Sequence, residues 1–287
     1  MNLSFRRSWA ALLLGSALVS SANAETLADL SKHTHYHGVA FARAGSASLL
    51  LATHHGLYAV AADGTAILVS PVQDFMGFSP DPADPLSYFA SGHPAEGGNS
   101  GFLKSADGGA TWMQISEGAG GPVDFHQMDV SPADPNIIYG HFGRIQVSRD
   151  GGATWVAEGK PVPGLIALAA SSVETNRLYA ATKTGLAASE DGGKSFAPIA
   201  FEGQVVSTVE TGTDGALYAF VLGKGFASAK ESVPQTWTEL SNSFGEAIPL
   251  HIAVDPKDGQ HLALTTQNND VLESRDGGTN WKPFGTP

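Results

Sequence analysis

The sequence predicts an all-β protein, a six-bladed β-propeller in which each blade is a four-stranded antiparallel sheet. Three observations predict this class. An eight-residue segment recurs along the chain, many short apolar segments alternate with turn residues, and no amphipathic helical pattern is found beyond residues 27–31. Strand-rich units that recur at about 40–50 residues are typical of propeller blades, because each unit buries its apolar face against its neighbours.

The recurring segment has the pattern S-x-D-G-G, and its copies are SADGGATW at 105–112, SRDGGATW at 148–155, SEDGGKSF at 189–196 and SRDGGTNW at 274–281. The first three copies are about 42 residues apart, and the last gap is about twice as long. Asp-Gly-Gly is turn chemistry, because glycine adopts positive φ and aspartate bonds to its own turn backbone. Since the copies are spread around a ring, their aspartates cannot converge on one ligand, and we predict structural hairpins.

Six repeats of four strands follow one another in the chain. Period-2 alternation with β-branched and aromatic residues predicts the strands, and continuous apolar runs such as 48–53 predict second strands buried between blades. The S-x-D-G-G turn is reduced to residues 63–65 in the first repeat and is lost in the fifth, where Ser228 and Trp237 remain. The predicted blades are 37–70, 75–116, 125–159, 165–200, 205–241 and 250–284.

The first 24 residues predict an export signal. Arg6 and Arg7 precede an apolar stretch at 9–21 that is too short to span a bilayer, and Ala-Asn-Ala at 22–24 matches a cleavage site. We therefore expect residues 25–287 to form one propeller domain that is periplasmic or secreted, without membrane insertion after signal cleavage.

The charge and the cysteine count limit the partners. The formal net charge of −12 disfavours nucleic acid, which needs a basic surface, and is compatible with cationic ligands. The chain has no cysteine, so an exported form has no disulfides and must be stabilised by its core.

A binding site is expected on the face of the ring opposite the S-x-D-G-G turns, where the first strands begin and the second strands end. Alignment of the first strands places His37, Asp74 and His126 at equivalent positions in blades one to three. His54, His93 and His141 end the second strands of the same blades. Imidazole nitrogen and carboxylate oxygen favour Zn²⁺ or Cu²⁺. The predicted metal ligands are His37, His54, His93, His126, His141 and Asp74.

Three more histidines map to the same face as secondary candidates: His35, His55 and His251. Met76 and Met128 lie in the same first strands, and thioether sulfur beside imidazole would suit copper. The alternative for this group is that its members are structural hydrogen-bonding residues and that the methionines belong to the core. The two remaining histidines, at positions 33 and 261, are assigned a structural role.

The S-x-D-G-G segment resembles the Asp-box, or BNR repeat, of sialidase-like and sortilin-like propellers. Further stretches resemble a family of exported bacterial Asp-box proteins that are commonly labelled glycosyl hydrolase: ATHHGLY at 52–58, DFMGF at 74–78, ASGHP at 90–94, VDFH at 123–126 and SPADP at 131–135. This resemblance implies a propeller with Asp-box hairpins. Because one fold hosts many functions, the hydrolase label is weak evidence for chemistry.

The resemblance raises three classes of function. A sialidase would use three arginines to hold the carboxylate of its sugar, and only Arg144 is predicted near the candidate face, so a sialidase is rejected. Another glycoside hydrolase needs two carboxylates beside a cleft, and Asp74 with Asp124 is the candidate catalytic pair for a glycan ligand. The third class is a protein-binding or assembly scaffold, for which an exposed patch without a pocket would be the sign.

Overall fold

The structure, a computed structural model, describes residues 24–286 and confirms the six-bladed β-propeller with four-stranded antiparallel blades. The first strand of each blade contacts that of the next, and those of blades six and one also meet, so the inner strands enclose a central channel. Except for Ala24, the predicted export signal lies outside the described residues. Within residues 24–286, the helical content includes nothing long and apolar enough to cross a membrane.

A short strand, β1 at Glu25–Thr26, and a helix, α1 at Leu27–Leu30, come before blade one in the chain. Blade one contains β2–β5 at Tyr36–Phe41, Leu49–Thr53, Gly56–Val60 and Thr65–Leu68. Blade two contains β6–β9 at Asp74–Pro80, Tyr88–His93, Phe102–Ser105 and Met113–Ser116. Blade three contains β10–β13 at Gln127–Val130, Ile138–Phe142, Arg144–Ser148 and Val156–Ala157.

Blades four to six repeat the pattern. Blade four contains β14–β17 at Leu165–Ala170, Leu178–Thr182, Gly185–Ser189 and Ala197–Ala200. Blade five contains β18–β21 at Val206–Thr211, Ala216–Val221, Gly225–Lys230 and Thr238–Ser241. Blade six contains β22–β25 at Pro249–Asp255, Asp258–Thr266, Val271–Ser274 and Lys282–Pro283. The outer strand of blade three begins only at Val156, because Thr154 belongs to the preceding S-x-D-G-G turn.

Ring closure uses side-chain packing. Strand β1 pairs with β5 and so extends the outer edge of blade one; no strand of the described residues 24–286 is exchanged between blades one and six. Instead, Ala263 and Val271 of blade six share a buried apolar cluster with Val39 and Leu51 of blade one. Apolar burial, at about 25 cal/mol per Å², therefore holds the first and last blades together.

The polar side chains of the S-x-D-G-G turns form hydrogen bonds within their own turns. In the first copy, Ser105 donates to Asp107, and Asp107 accepts hydrogen bonds from the backbone and hydroxyl groups of Thr111. The same bonds recur around Asp150, Asp191 and Asp276, with Ser or Asn in the place of the threonine at the last two. These hydrogen bonds lower the pKa of Asp150 to about 2, so its carboxylate is stabilised within the turn.

The second glycine of each turn also fixes the packing between blades. Gly152 has φ of 91°, and a Cβ atom placed there would lie 1.9 Å from the ring of Phe102 in the preceding blade. The motif thus combines a turn with a close approach between neighbouring sheets. Its carboxylates face their own loops on separate blades, which supports the structural interpretation.

Candidate functional site

A β-bulge at the start of the first strand directs side chains to one mouth of the channel. In four blades the strand pairing skips one residue, and the skipped residues are His37, Ile166, Ser207 and Leu250. All four line a cavity of about 190 Å³ at this mouth, together with Met76, His126 and His251. A bulge re-aims the extra side chain, so this local irregularity places the His37 imidazole at the mouth.

The hairpin between the second and third strands of blade one carries His54 and His55. Thr53 is fully buried; its hydroxyl donates to the backbone oxygen of Gly56 at 2.9 Å and accepts from the backbone of His55 at 2.9 Å. These two bonds close the turn and hold it above the mouth. The sequence T-H-H-G thus provides both the cap and the imidazole of His54.

Asp74 and His93 face each other across the first strand pair of blade two. Gly92, next to His93, has φ of 124°, and a Cβ atom placed there would lie 2.2 Å from the backbone oxygen of Asp74. Only glycine permits this approach without moving the backbone. The A-S-G-H segment therefore brings the His93 ring directly to the Asp74 carboxylate.

Asp124 lies in the connection from blade two to blade three and is only 6% exposed. Its neighbours in the chain are fixed by Ser91, whose hydroxyl donates to the backbone oxygen of Val123 at 3.2 Å and accepts from the backbone of Phe125 at 3.0 Å. A fully buried serine of blade two thus sets the position of a carboxylate at the entrance to blade three.

Six side chains form one continuous chain of contacts across three blades, which we call the histidine cluster: His37, His54, Asp74, His93, Asp124 and His126. Nε2 of His37 is 3.0 Å from Nε2 of His54, and Nδ1 of His54 is 3.1 Å from Oδ1 of Asp74. Nδ1 of His93 is 3.2 Å from Oδ2 of Asp74, and its Nε2 is 3.5 Å from Oδ2 of Asp124. Nε2 of His126 is 2.7 Å from the same Asp124 oxygen.

Burial and neighbouring charges act in opposite directions on the histidines. Burial, and then the charge of the neighbouring His54 ring, lowers the pKa of His37 to about 4. The hydrogen bond with Asp124 raises the pKa of His126. His37 is therefore neutral at neutral pH, and a neutral imidazole has one ring nitrogen with a free lone pair for a cation.

The structure brings five of the six predicted metal ligands into the histidine cluster and leaves one beside it. His141 stands next to His126 and is half-buried, which lowers its pKa, but within residues 24–286 its ring makes no hydrogen bond or ion pair. The sixth member of the cluster is Asp124, which the sequence suggested only as part of a catalytic carboxylate pair. Its position two residues before His126 was the available signal, since such residues share one side of an extended segment.

The secondary candidates lie around the cluster. The rings of His35 and His55 are centred 5.9 and 6.5 Å from that of His54, and His35 also contacts Asn269 of blade six. His251 lines the channel mouth, and burial lowers its pKa to about 4. Met76 is buried in the wall of the same cavity.

No protein-family model and no curated protein matches this chain. Its structural neighbours are propellers of low sequence identity, and they show the fold alone. A GH74 enzyme of Niastella koreensis has a TM-score of 0.64 at 18% identity, over 87% of this chain and 45% of its own, so this chain spans less than half of that enzyme.

A gluconolactonase from Xanthomonas campestris has a TM-score of 0.62 at 15% identity, over 86% of this chain and 87% of its own. YCF48 bound to a D1 peptide has a TM-score of 0.55 at 17% identity, over 93% of this chain and 85% of its own. Propellers of this kind therefore include enzymes and a peptide-binding protein, and the function must be argued from the site.

Proposed function

We propose that this propeller binds a divalent transition-metal ion, zinc or copper, at the channel mouth through His37, His54 and Asp74. The observation that supports this most directly is convergence: one donor atom from each of these side chains lies within 4.8 Å of the other two. The three donors come from a bulge, a capped hairpin and the start of strand β6.

The spacing of the donors fits a coordination shell. Metal–nitrogen and metal–oxygen bonds to zinc are about 2.0–2.2 Å, so neighbouring ligands of a tetrahedral site are separated by about 3.4 Å. Nδ1 of His54 is 3.2 Å from Nε2 of His37 and 3.1 Å from Oδ1 of Asp74, and Nε2 of His37 is 4.0 Å from Oδ1 of Asp74. Small rotations of these side chains would equalise the distances around one ion.

The chemistry of the donors selects the class of ion. Two imidazole nitrogens and one carboxylate oxygen suit zinc or Cu²⁺, whereas Mg²⁺ and Ca²⁺ prefer oxygen ligands alone. Three protein ligands leave a coordination position for water or a small ligand, as in catalytic zinc sites. The acidic character of the chain favours the approach of a cation.

Elemental analysis of the purified chain and calorimetric titration with Zn²⁺ and Cu²⁺ test the proposal. We expect micromolar or tighter binding that is lost in His54→Ala and Asp74→Asn. His33→Ala is the matched control, because the exposed His33 ring lies outside the histidine cluster and pairs with Glu25. Binding that is absent in the wild type, or unchanged in the first two variants, would contradict the proposal.

A glycoside hydrolase is the second candidate, because Asp74 and Asp124 both contact the one imidazole ring of His93. Such a pair would need carboxyl groups about 5–10 Å apart with access to a sugar. However, the Asp124 side chain is 8% exposed, and its Oδ2 atom is already 2.7 Å from Nε2 of His126. A glycan-cleavage screen with Asp74→Asn and Asp124→Asn as controls tests this candidate. Cleavage by the wild type that is lost in both variants would favour a hydrolase over metal binding alone.

The S-x-D-G-G turns have the hydrogen-bonded form expected of Asp-boxes, and this supports assignment to the exported Asp-box proteins that the sequence resembles. Protein binding is a further candidate by analogy with YCF48 bound to a peptide.

Amino-terminal sequencing of the chain recovered from a periplasmic fraction would test the predicted cleavage after Ala24, and a precursor that stays uncleaved in the cytoplasm would contradict it.

A further inference from the structure

We propose that His93 is a positioning residue of the metal site: it does not bind the ion, but it holds the Asp74 carboxylate with Oδ1 toward the ion. This inference rests on the proposed function, in which His37, His54 and Asp74 are the ligands. The two oxygens of Asp74 have different neighbours. Oδ1 is 3.1 Å from Nδ1 of His54, among the donors, whereas Oδ2 is 3.2 Å from Nδ1 of His93.

The hydrogen bond between His93 and Asp74 has one possible direction. A carboxylate that binds a cation is ionised and only accepts hydrogen bonds, so Nδ1 of His93 carries a proton and donates it to Oδ2. Because Oδ2 is engaged in this bond, Oδ1 is the oxygen that remains for the ion. The carboxylate cannot turn about its Cβ–Cγ bond without losing the bond to His93. The ring therefore fixes which oxygen of Asp74 faces His37 and His54.

The fold sets the position of the His93 ring. His93 is paired with Asp74 in the antiparallel register of blade two, and the backbone oxygen of the preceding Gly92 accepts a hydrogen bond from the backbone of Ser100 at 2.8 Å. The second ring nitrogen, Nε2, is 3.5 Å from the buried carboxylate of Asp124. The ring is 40% exposed, so the side chain can be replaced without opening the core.

The same place has three uses in three blades. His54, His93 and His141 lie at or next to the ends of the second strands of blades one to three. His54 belongs to the convergent group of donors, whereas His93 contacts one member of that group without joining it. A residue that forms a hydrogen bond to a metal ligand orients that ligand, and its loss typically costs about 10–100-fold in metal affinity. We therefore assign His93 to the support of Asp74.

Calorimetric titration with Zn²⁺ tests this role with two substitutions of His93. His93→Leu has no donor and should weaken zinc binding by about 10–100-fold while the chain still binds one ion. His93→Asn places its amide nitrogen where Nδ1 lies and should restore most of the affinity. If circular dichroism shows that His93→Leu does not fold, His93→Gln takes its place, because its amide nitrogen corresponds to Nε2. His33→Leu, at an exposed histidine outside the histidine cluster, is the control and should bind zinc as the wild type does.

Electron paramagnetic resonance of bound Cu²⁺ separates positioning from a general loss of structure. In the wild type we expect Asp74 to bind through Oδ1 alone. In His93→Leu the released carboxylate can turn and present both oxygens, so the Cu²⁺ spectrum should change. His93→Asn should return the spectrum to the wild-type form, which a merely structural role of His93 would not require.

The outcomes distinguish this inference from the proposed function. Wild-type affinity in the variants without a donor at Nδ1, or a loss that His93→Asn does not restore, would overturn the role of His93. Either result would leave His37, His54 and Asp74 as the ligands. Absence of zinc and copper binding in the wild type would overturn the proposed function and this inference with it.

Discussion

Blades one and four have the same local backbone and different chemistry. Both begin the first strand with a bulge, which carries His37 in blade one and Ile166 in blade four. Both close the next hairpin with a buried threonine, in the sequences T-H-H-G at 53–56 and T-K-T-G at 182–185. Lys183 therefore occupies in blade four the place that His54 occupies in blade one.

The difference shows that the repeat determines where side chains lie around the channel mouth, but not which residues fill these positions. Every blade brings the start of its first strand and the end of its second strand to the channel mouth. Blades one to three fill these places with imidazole and carboxylate, whereas at the bulges blades four to six carry Ile166, Ser207 and Leu250. The S-x-D-G-G aspartates stabilise the blades that carry them, and the residues that depart from the repeat carry the candidate function.

The largest effect is expected when blade one is given the residues of blade four. The double variant His37→Ile and His54→Lys should lose metal binding by at least about 1,000-fold, because two donors are replaced by an apolar group and a cation; loss of an outer-sphere partner alone costs about 10–100-fold. Calorimetric titration measures the loss. The melting temperature should stay within a few degrees, because blade four shows that this backbone accepts both residues.

A double variant that keeps wild-type metal affinity would break the comparison between the two blades. The matched control changes the same two places in blade four, Ile166→Ala and Lys183→Ala. These changes should leave metal binding unaltered.

The second prediction concerns the turns on the other face. Asp191 of blade four accepts hydrogen bonds from Ser189 and Ser195, whereas Asp63 in the reduced turn of blade one accepts one from Thr65. Asp191→Ala should lower the free energy of unfolding by about 2 kcal/mol, from the lost hydrogen bonds, and Asp63→Ala should lower it less. Urea unfolding measures both, and an equal loss would contradict the assigned role of the full turn.

The hydrogen bonds lower the pKa of Asp191 to about 2, below its ordinary value of 3.8. The native state therefore binds fewer protons than the unfolded state between these values. The stabilisation by Asp191 is complete above about pH 4 and is lost as the pH falls through 2. The difference between the wild type and Asp191→Ala should shrink over this acidic range.

The fold could be predicted from the sequence because the S-x-D-G-G segment recurs along the chain. The period of the S-x-D-G-G turns and the alternation of apolar residues give the six blades and nearly all strand positions. The candidate face also follows from the topology, since the antiparallel blade brings His54 and His93 to the same side as His37.

The contacts within the site could not be predicted in the same way. The bulge at His37 and the position of Asp124 depend on pairing and on bonds made by Ser91 across blades, which no spacing in the sequence reveals. For the same reason the sequence does not reveal that Asp74 and Asp124 contact the same histidine ring, that of His93. Distances between blades decide which polar residues meet, and these depend on packing.

The hairpin threonines offer a matched test of smaller size. Thr53→Ala and Thr182→Ala each remove a buried hydroxyl that bonds to two backbone groups of its turn. Both should lower the free energy of unfolding by about 1–2 kcal/mol. Only Thr53→Ala should also weaken metal binding, by about 10-fold, because it loosens the turn that positions His54. Equal effects of the two variants on metal affinity would show that the hairpin of blade one is not part of the site.

The smallest effect is expected in the channel, where ionisable groups also occur in the half of the ring without metal donors. Burial, and then the charge of Asp129, raises the pKa of Glu210 well above its ordinary value. The native state thus binds more protons than the unfolded state, so Glu210 lowers stability as the pH rises above about 4.3 toward the raised value. Glu210→Gln should keep the hydrogen bond from the backbone of Thr211 and increase the free energy of unfolding by up to about 1 kcal/mol at pH 8, and by less at pH 5. Urea unfolding at both pH values measures this change, and the metal stoichiometry of the variant should equal that of the wild type. These two results together would show that Glu210 destabilises the ring and does not bind the metal. An increase in the free energy of unfolding that is larger at pH 5 than at pH 8 would contradict this assignment.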